Sequence, residues 1–216
     1  MSDATLFDRD LLAHPSIEVA PLLLGARLTS TIDGERVVVE LTEVEAYQGA
    51  DDPGSHAYRG RTARNEVMFG EAGHLYVYFT YGMHWCANIV TDRPGVASGI
   101  LLRGGRVVAG LEAARRRRPA ARTDRDLARG PARLASALGI DSAQLGHDVA
   151  LPPVRLEVGT PLDPAVISTG PRVGVAGQGG DPVAFPWRFW ITGDAGVSVY
   201  RPAAPRRRGE GRRVRQ

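Results

Sequence analysis

Arg27-Leu-Thr-Ser-Thr-Ile32-Asp33-Gly34-Glu-Arg36-Val-Val-Val-Glu40-Leu-Thr-Glu43-Val-Glu45-Ala-Tyr47 is the stretch whose reading decides the fold. Two β-rich runs flank Asp33-Gly34, a dipeptide that readily supplies the positive-φ residues of a tight hairpin turn. The expectation is two antiparallel strands, residues 27–32 and 36–46. Strict alternation along the second run puts Val37, Val39, Leu41, Glu43, Glu45 and Tyr47 on one face. That face begins aliphatic and ends in two carboxylates and a phenol. It runs either from core into a polar pocket or from core to a solvated strand end.

Working outward, residues 10–25 read as one helix leading into a turn, with Pro15 moving the helix proper to about Ser16 and Gly25 as its stop. Further strands are expected over residues 74–80, 87–91, 99–103 and 106–108. Helices follow over residues 109–118, ended by Pro119, and 127–139, with Gly130-Pro131 near the start and Gly139 past the end. Strand-like pieces at residues 149–151, 155–158 and 187–192 complete the chain. No repeat and no internal linker interrupts it. The reading is a single α+β domain over residues 1–205, a curved antiparallel β core flanked by helices, followed by an arginine-rich tail, residues 206–216, expected to be disordered.

The 216 residues suffice for one domain with a real core and are too few for two ordinary ones. No run approaches the ~18 to 20 apolar residues of a membrane span, and the start, Met1-Ser-Asp-Ala-Thr, lacks a secretory pattern. The single cysteine, Cys86, excludes an intrachain disulfide and a four-cysteine metal cluster. It sits in an apolar run and reads as a buried, inert thiol. Cytoplasmic residence is expected, associated with the nucleoid through DNA. All 27 basic residues are arginines, and six of them fall in residues 206–216. The body keeps 21 arginines against 23 acids, a formal −2, so the high isoelectric point belongs to the tail. The tail is either a solvated extension or a basic arm adding sequence-blind affinity for phosphates.

Chemistry concentrates after Tyr47. An irregular stretch carries Asp51, Asp52 and His56, then Arg59-Gly-Arg-Thr-Ala-Arg64-Asn65. The aromatic run Leu75-Tyr76-Val-Tyr78-Phe-Thr-Tyr81-Gly-Met83-His84-Trp85 comes next. Aromatics beside arginines can stack a splayed base and hold its phosphates, although strand tyrosines also serve simply as core.

Together, Glu43-Val-Glu45-Ala-Tyr47, Arg64-Asn65 with Met68-Phe69, Leu75-Tyr-Val-Tyr78-Phe-Thr-Tyr81-Gly-Met83, Cys86-Ala-Asn88-Ile, Leu101-Leu-Arg103 and Gly130-Pro131-Ala-Arg133-Leu134 resemble the alkyladenine (3-methyladenine, methylpurine) DNA glycosylase family. Pro171-Arg172-Val-Gly174, Trp187-Arg188-Phe and Val197-Ser198 follow in family order, so the resemblance covers about residues 6–201. It implies a monofunctional glycosylase that flips a damaged purine, alkylated or deaminated, and hydrolyses its N-glycosidic bond. By that resemblance Glu45 is the general base and Arg103 helps position the attacking water. Tyr47 and Tyr78 sandwich the flipped base, and His56 donates to the base or the adjoining sugar-phosphate. Asn88 crowds the exocyclic amine of guanine. Tyr81, with Met83 and His84, is the wedge that fills the hole left by flipping. His84 and Ala87 depart from the residues common there.

The partner implied is double-stranded DNA containing damaged purines, bound by a monomer without cofactor or metal. Arg64 and Arg133 are candidate phosphate contacts, the second beside a helix start whose free N–H groups and dipole favour an anion, with Arg129 alongside. The absence of lysine argues independently for a water-using enzyme, because a glycosylase that also nicks DNA forms a Schiff base with an amine, usually lysine. Two other readings stay open on residues alone. One is a metal site at Asp51, Asp52 and His56, the basis of a nuclease. The other is a non-catalytic nucleic-acid-binding module on the same fold.

Overall fold

The computed structural model describes residues 8–80 and 82–203. Tyr81 and the arginine-rich tail therefore lie outside the described residues. The strands are β1 (Arg27–Ser30), β2 (Val37–Gln48), β3 (Leu75–Thr80), β4 (His84–Val90), β5 (Ser98–Ala109), β6 (Val154–Glu157), β7 (Ile167–Gly170) and β8 (Arg188–Ile191). The α-helices are α1 (Arg9–Leu12), α2 (Ser16–Val19), α3 (Leu111–Arg117) and α4 (Pro131–Leu138). One sheet runs β3-β4-β5-β2-β1-β6, with β8 added beside the second half of β2 and β7 beyond it; every pairing is antiparallel. The fold is α+β, as expected.

The opening hairpin forms as read. Asp33 and Gly34 both take positive φ, 57° and 74°, and β1 pairs with β2 from Arg27↔Glu40 to Ser30↔Val37. The single face assigned to β2 does not survive. Pairing with β5 slips between Leu41↔Gly105 and Glu43↔Gly104, leaving Thr42 extra, and slips back by Val44↔Leu102, leaving Arg103 extra. A β-bulge reverses which side chains face which way. Val37, Val39 and Leu41 therefore join Val44 and Ala46 in the main core, while Glu43, Glu45 and Tyr47 are absent from it. The compensating bulge falls on Arg103. Gly104-Gly105 makes the slip sterically possible: a Cβ on Gly105 would lie 2.4 Å from Val39 and 2.5 Å from the Glu40 carbonyl.

Elsewhere the boundaries shift for identifiable reasons. Residues 9–23 form two short α-helices and a 3₁₀ turn, because Pro15 and Pro21 interrupt the expected continuous helix. Residues 99–103 and 106–108 belong to the single strand β5, which runs through its glycines. Residues 149–151 are a turn, with only an isolated bridge between His74 and Asp148 nearby. Strand β7, short and half-polar, has no counterpart in the sequence reading. Helix α4 begins at Pro131, its ring pre-set for the first helical turn, and ends on Gly139 at φ 75°. It inserts Leu134, Ala135, Ala137 and Leu138, all 0% exposed, into the core against β4 and β5. No helix among the described residues is long and apolar enough to cross a membrane.

Candidate active site

The second half of β2, the ends of β3 and β4, the start of α4 and two loops enclose a cavity of about 480 Å³. Glu45, Tyr47, His56, Tyr78, His84, Asn88 and Arg103, read separately from the sequence, all border it. Glu45 is 0% exposed, so only a molecule admitted through the cavity can reach it. One of its oxygens accepts the Val173 backbone N–H at 2.7 Å and faces Arg103 Nε at 3.4 Å; the other accepts the Tyr47 hydroxyl at 2.9 Å. Burial, then the Glu45 charge, holds the Tyr47 phenol well above its ordinary pKa, so it stays a donor to that carboxylate.

Arg103 hydrogen-bonds through Nε to Glu43 Oε1 at 3.0 Å. Although burial opposes its charge, Glu45 and then Glu43 raise its pKa. Glu43 is equally buried but crowded. The same Oε1 takes Arg188 Nε at 2.6 Å and Ser198 Oγ at 3.0 Å, and Oε2 takes the Ser198 N–H at 2.7 Å. Two carboxylates and two guanidiniums thus form a charge-balanced cluster, stabilised at both ends by hydrogen bonds that a buried charge requires.

The opposite wall is aromatic. Tyr78 packs edge-on against His56, centroids 4.6 Å apart, and lies against Tyr76 at 5.6 Å with 28° between planes. Tyr76, 2% exposed, bonds its hydroxyl to His56 Nδ1 at 3.1 Å. Burial raises the pKa of both tyrosines, whereas burial and then the Arg64 charge lower that of His56. His56 is consequently neutral at pH 7 and keeps one ring nitrogen as donor and one as acceptor. Its loop is tied by Asn65, whose amide nitrogen donates at 3.0 Å to the His56 and Gly60 carbonyls. Asn88 donates to the Tyr76 carbonyl at 3.0 Å. Cys86 is buried as expected, but it borders the cavity; burial pushes its thiol up to about 11.

The proposed DNA contacts are dispersed. Met83 stands 68% exposed in the β3–β4 turn beside His84. The exposed Arg64 guanidinium lies 5.9 Å from the Tyr78 ring centroid. Pro131 and Ala132 at the start of α4 border the cavity, but Arg133 is turned to the exposed side and faces Asp126 at 3.8 Å. Arg129 is engaged with the Val197 carbonyl at 2.7 Å rather than free beside the helix start. The acidic loop does not gather as a ligand set: Asp51 is exposed, and both oxygens of Asp52 are held by Arg172 at 2.5 and 2.6 Å. Among the described residues no three His, Cys, Asp or Glu side chains come together as metal ligands. Sequence reading quoted Arg172 and Arg188 within family-order motifs but gave them no role, and it did not pair Asp52 with Arg172. Their signal was faint, since two arginines in short motifs near the C-terminus resemble surface charge until burial is known.

A buried carboxylate paired with an arginine thus faces a cavity walled in part by flat rings. The model of the methylpurine-DNA glycosylase family matches residues 10–195. A Streptomyces avermitilis protein named "Putative 3-methyladenine DNA glycosylase" is 53% identical over 209 residues, 95% of this chain and 97% of that one. Proteins of the same name from Leifsonia xyli and Burkholderia orbicola are 51% and 44% identical, over 93% and 94% of this chain and 96% and 94% of theirs. The chain belongs to the methylpurine-DNA glycosylase family.

Proposed function

We propose that the protein extrudes a damaged purine from duplex DNA into the cavity and hydrolyses its N-glycosidic bond, leaving an abasic site. The observation that carries the reading is Glu45, fully buried, charge-paired with Arg103 and bordering a cavity faced by Tyr47, Tyr78 and His56. Glu45 accepts a proton from a water that attacks C1′ of the deoxyribose. The C1′–N bond breaks, and its electron pair departs with the purine. The carboxylate also stabilises the cationic character that develops on the sugar, an effect strongest in a water-excluded site. Tyr47 and Tyr78 present π faces that favour a base carrying positive charge, as an N3- or N7-methylated purine does. Deaminated purines, being neutral, depend on hydrogen bonding instead, and Asn88 excludes undamaged guanine by crowding its amine.

Catalysis proceeds without a lyase step: the chain has no lysine to form a Schiff base, which leaves only the N-terminal amine. The hairpin turn at Gly82, with Met83 and His84, enters the minor groove. Arg64 and Arg133 serve phosphates, and the arginine tail is an arm of its own outside a domain ending near residue 205. Its origin supports this. The Arg201 carbonyl, five residues before the tail, accepts from the Gly174 N–H at 3.1 Å, and Gly174 borders the cavity.

The test is a duplex carrying a single 3-methyladenine or hypoxanthine. Free base should be released and the strand should break only after alkali. Glu45→Gln should still bind the duplex but release no base. Strand cleavage without free base would indicate a nuclease, and binding without release a non-catalytic module; either overturns the proposal. Efficient borohydride trapping of protein on DNA would overturn the lyase-free step.

A further inference from the structure

Arg172 is the largest fully buried side chain among the described residues, and it does not border the cavity. Its guanidinium nevertheless bonds to segments that adjoin the lining and faces the lining ring of Tyr47. Nη1 donates to the Ala46 carbonyl at 2.9 Å, on the strand end between Glu45 and Tyr47. Nη1 and Nη2 grip Asp52 in a two-point fork, and Nη2 also donates to the Gly179 carbonyl at 2.8 Å. Asp52 accepts the backbone N–H groups of Gln48 and Gly54, at 3.2 and 2.8 Å, and so fixes the loop running from Tyr47 to His56. The residue after Arg172 is Val173, whose N–H is bonded to Glu45.

The guanidinium plane is also an aromatic support. Its carbon lies 4.5 Å from the Tyr47 ring centroid, with Trp187 at 5.2 Å and Phe185 at 5.7 Å. Nε has no hydrogen-bond partner, an unmade bond that the ring stacking partly offsets. Space around it is fully used: a Cβ on Gly54 would lie 2.5 Å from Nη2, and one on Gly179 2.3 Å from the Gly54 nitrogen. A lysine has neither the fork nor the plane, so charge alone cannot reproduce these contacts.

The geometry points to the Arg172–Asp52 pair as a positioning clamp that sets the base-stacking ring of Tyr47 and the Glu45–Val173 contact relative to the His56 loop. The clamp governs the rate of base release rather than DNA affinity. It rests on the reading of the cavity as a glycosylase site. Misplacement of reacting groups by about 1 Å costs on the order of 10²-fold in rate, and that sets the expected size.

The experiment is single-turnover base release from a 3-methyladenine duplex with enzyme in excess, separating amplitude, the fraction of competent molecules, from the rate constant. Arg172→Lys and the milder, nearly isosteric Asp52→Asn are compared with wild type, and affinity is measured on a duplex with a stable abasic-site analogue. The clamp predicts rate constants about 10- to 100-fold lower, with near-normal amplitude and unchanged affinity. Wild-type rate constants, with or without lower amplitude, would show a merely structural role and overturn it. Should wild type itself release no base, the glycosylase reading fails, and the clamp with it.

Discussion

Glu43 and Glu45 stand two residues apart on one strand, both 0% exposed and both facing Arg103, yet their surroundings give them different work. Glu43 is filled by Arg103, Arg188 and two donors from Ser198. Glu45 takes one backbone N–H and one phenol, and borders the cavity. Burial and a charged partner therefore do not distinguish the two carboxylates. Unfilled acceptor capacity on the cavity side does, which is why the proposal puts the reaction at Glu45, and a fully bonded neighbour holds the arginine between them.

The largest effect that would break this contrast is at Glu45. Glu45→Gln keeps shape and should lower single-turnover base release by on the order of 10² to 10⁴-fold, the usual worth of a general base. Glu43→Gln should act on folding instead. It leaves Arg103 and Arg188 short of a counter-charge in a buried site, at a cost of about 3 to 5 kcal/mol in chemical denaturation. Deleting residues 206–216 should leave the rate at saturating enzyme unchanged. It should flatten the log–log salt dependence of DNA binding by no more than about five, from its six arginines. An unaltered salt slope would remove the arm from the account.

The smallest effect is at His56, where the ring titration followed by NMR should lie below the ordinary 6.5. Arg64→Gln should move it upward yet leave it below that value, because burial is the larger cause and Arg64 the lesser. The sign follows from the disfavoured cation: the unfolded chain takes up the proton first. That contribution to stability is present above 6.5 and lost as pH falls through the lowered folded value. A His56 titrating above 6.5 would contradict the neutral ring assigned to the aromatic wall.

The hairpin was legible in sequence, because Asp33-Gly34 carries its own turn chemistry; the residues around the cavity were named chiefly through the resemblance to a known family, with the dense aromatic run as support. The way Glu45 reaches the cavity was not. Alternation put it on the same face as Val37, Val39 and Leu41, and only the bulge at Thr42, matched by the one at Arg103, separates them. A bulge depends on the partner strand's register, which β2 alone does not encode. The roles of Arg172 and Arg188 were not read for a related reason, since their burial comes from rings and carbonyls distant in sequence. Asp52 was read with Asp51 as a solvated or metal-binding pair until its arginine, 120 residues on, was seen to occupy it.

The most direct test sets Glu43→Gln and Glu45→Gln side by side, reading single-turnover base release per competent molecule and denaturation midpoint on the same preparations. The account predicts a crossing. Glu45→Gln loses its rate and gives up the smaller part of its midpoint, since Arg103 keeps Glu43, while Glu43→Gln, which strips both Arg103 and Arg188, loses more of its midpoint and keeps more of its rate. A Glu45→Gln protein that releases base as fast as wild type would contradict it.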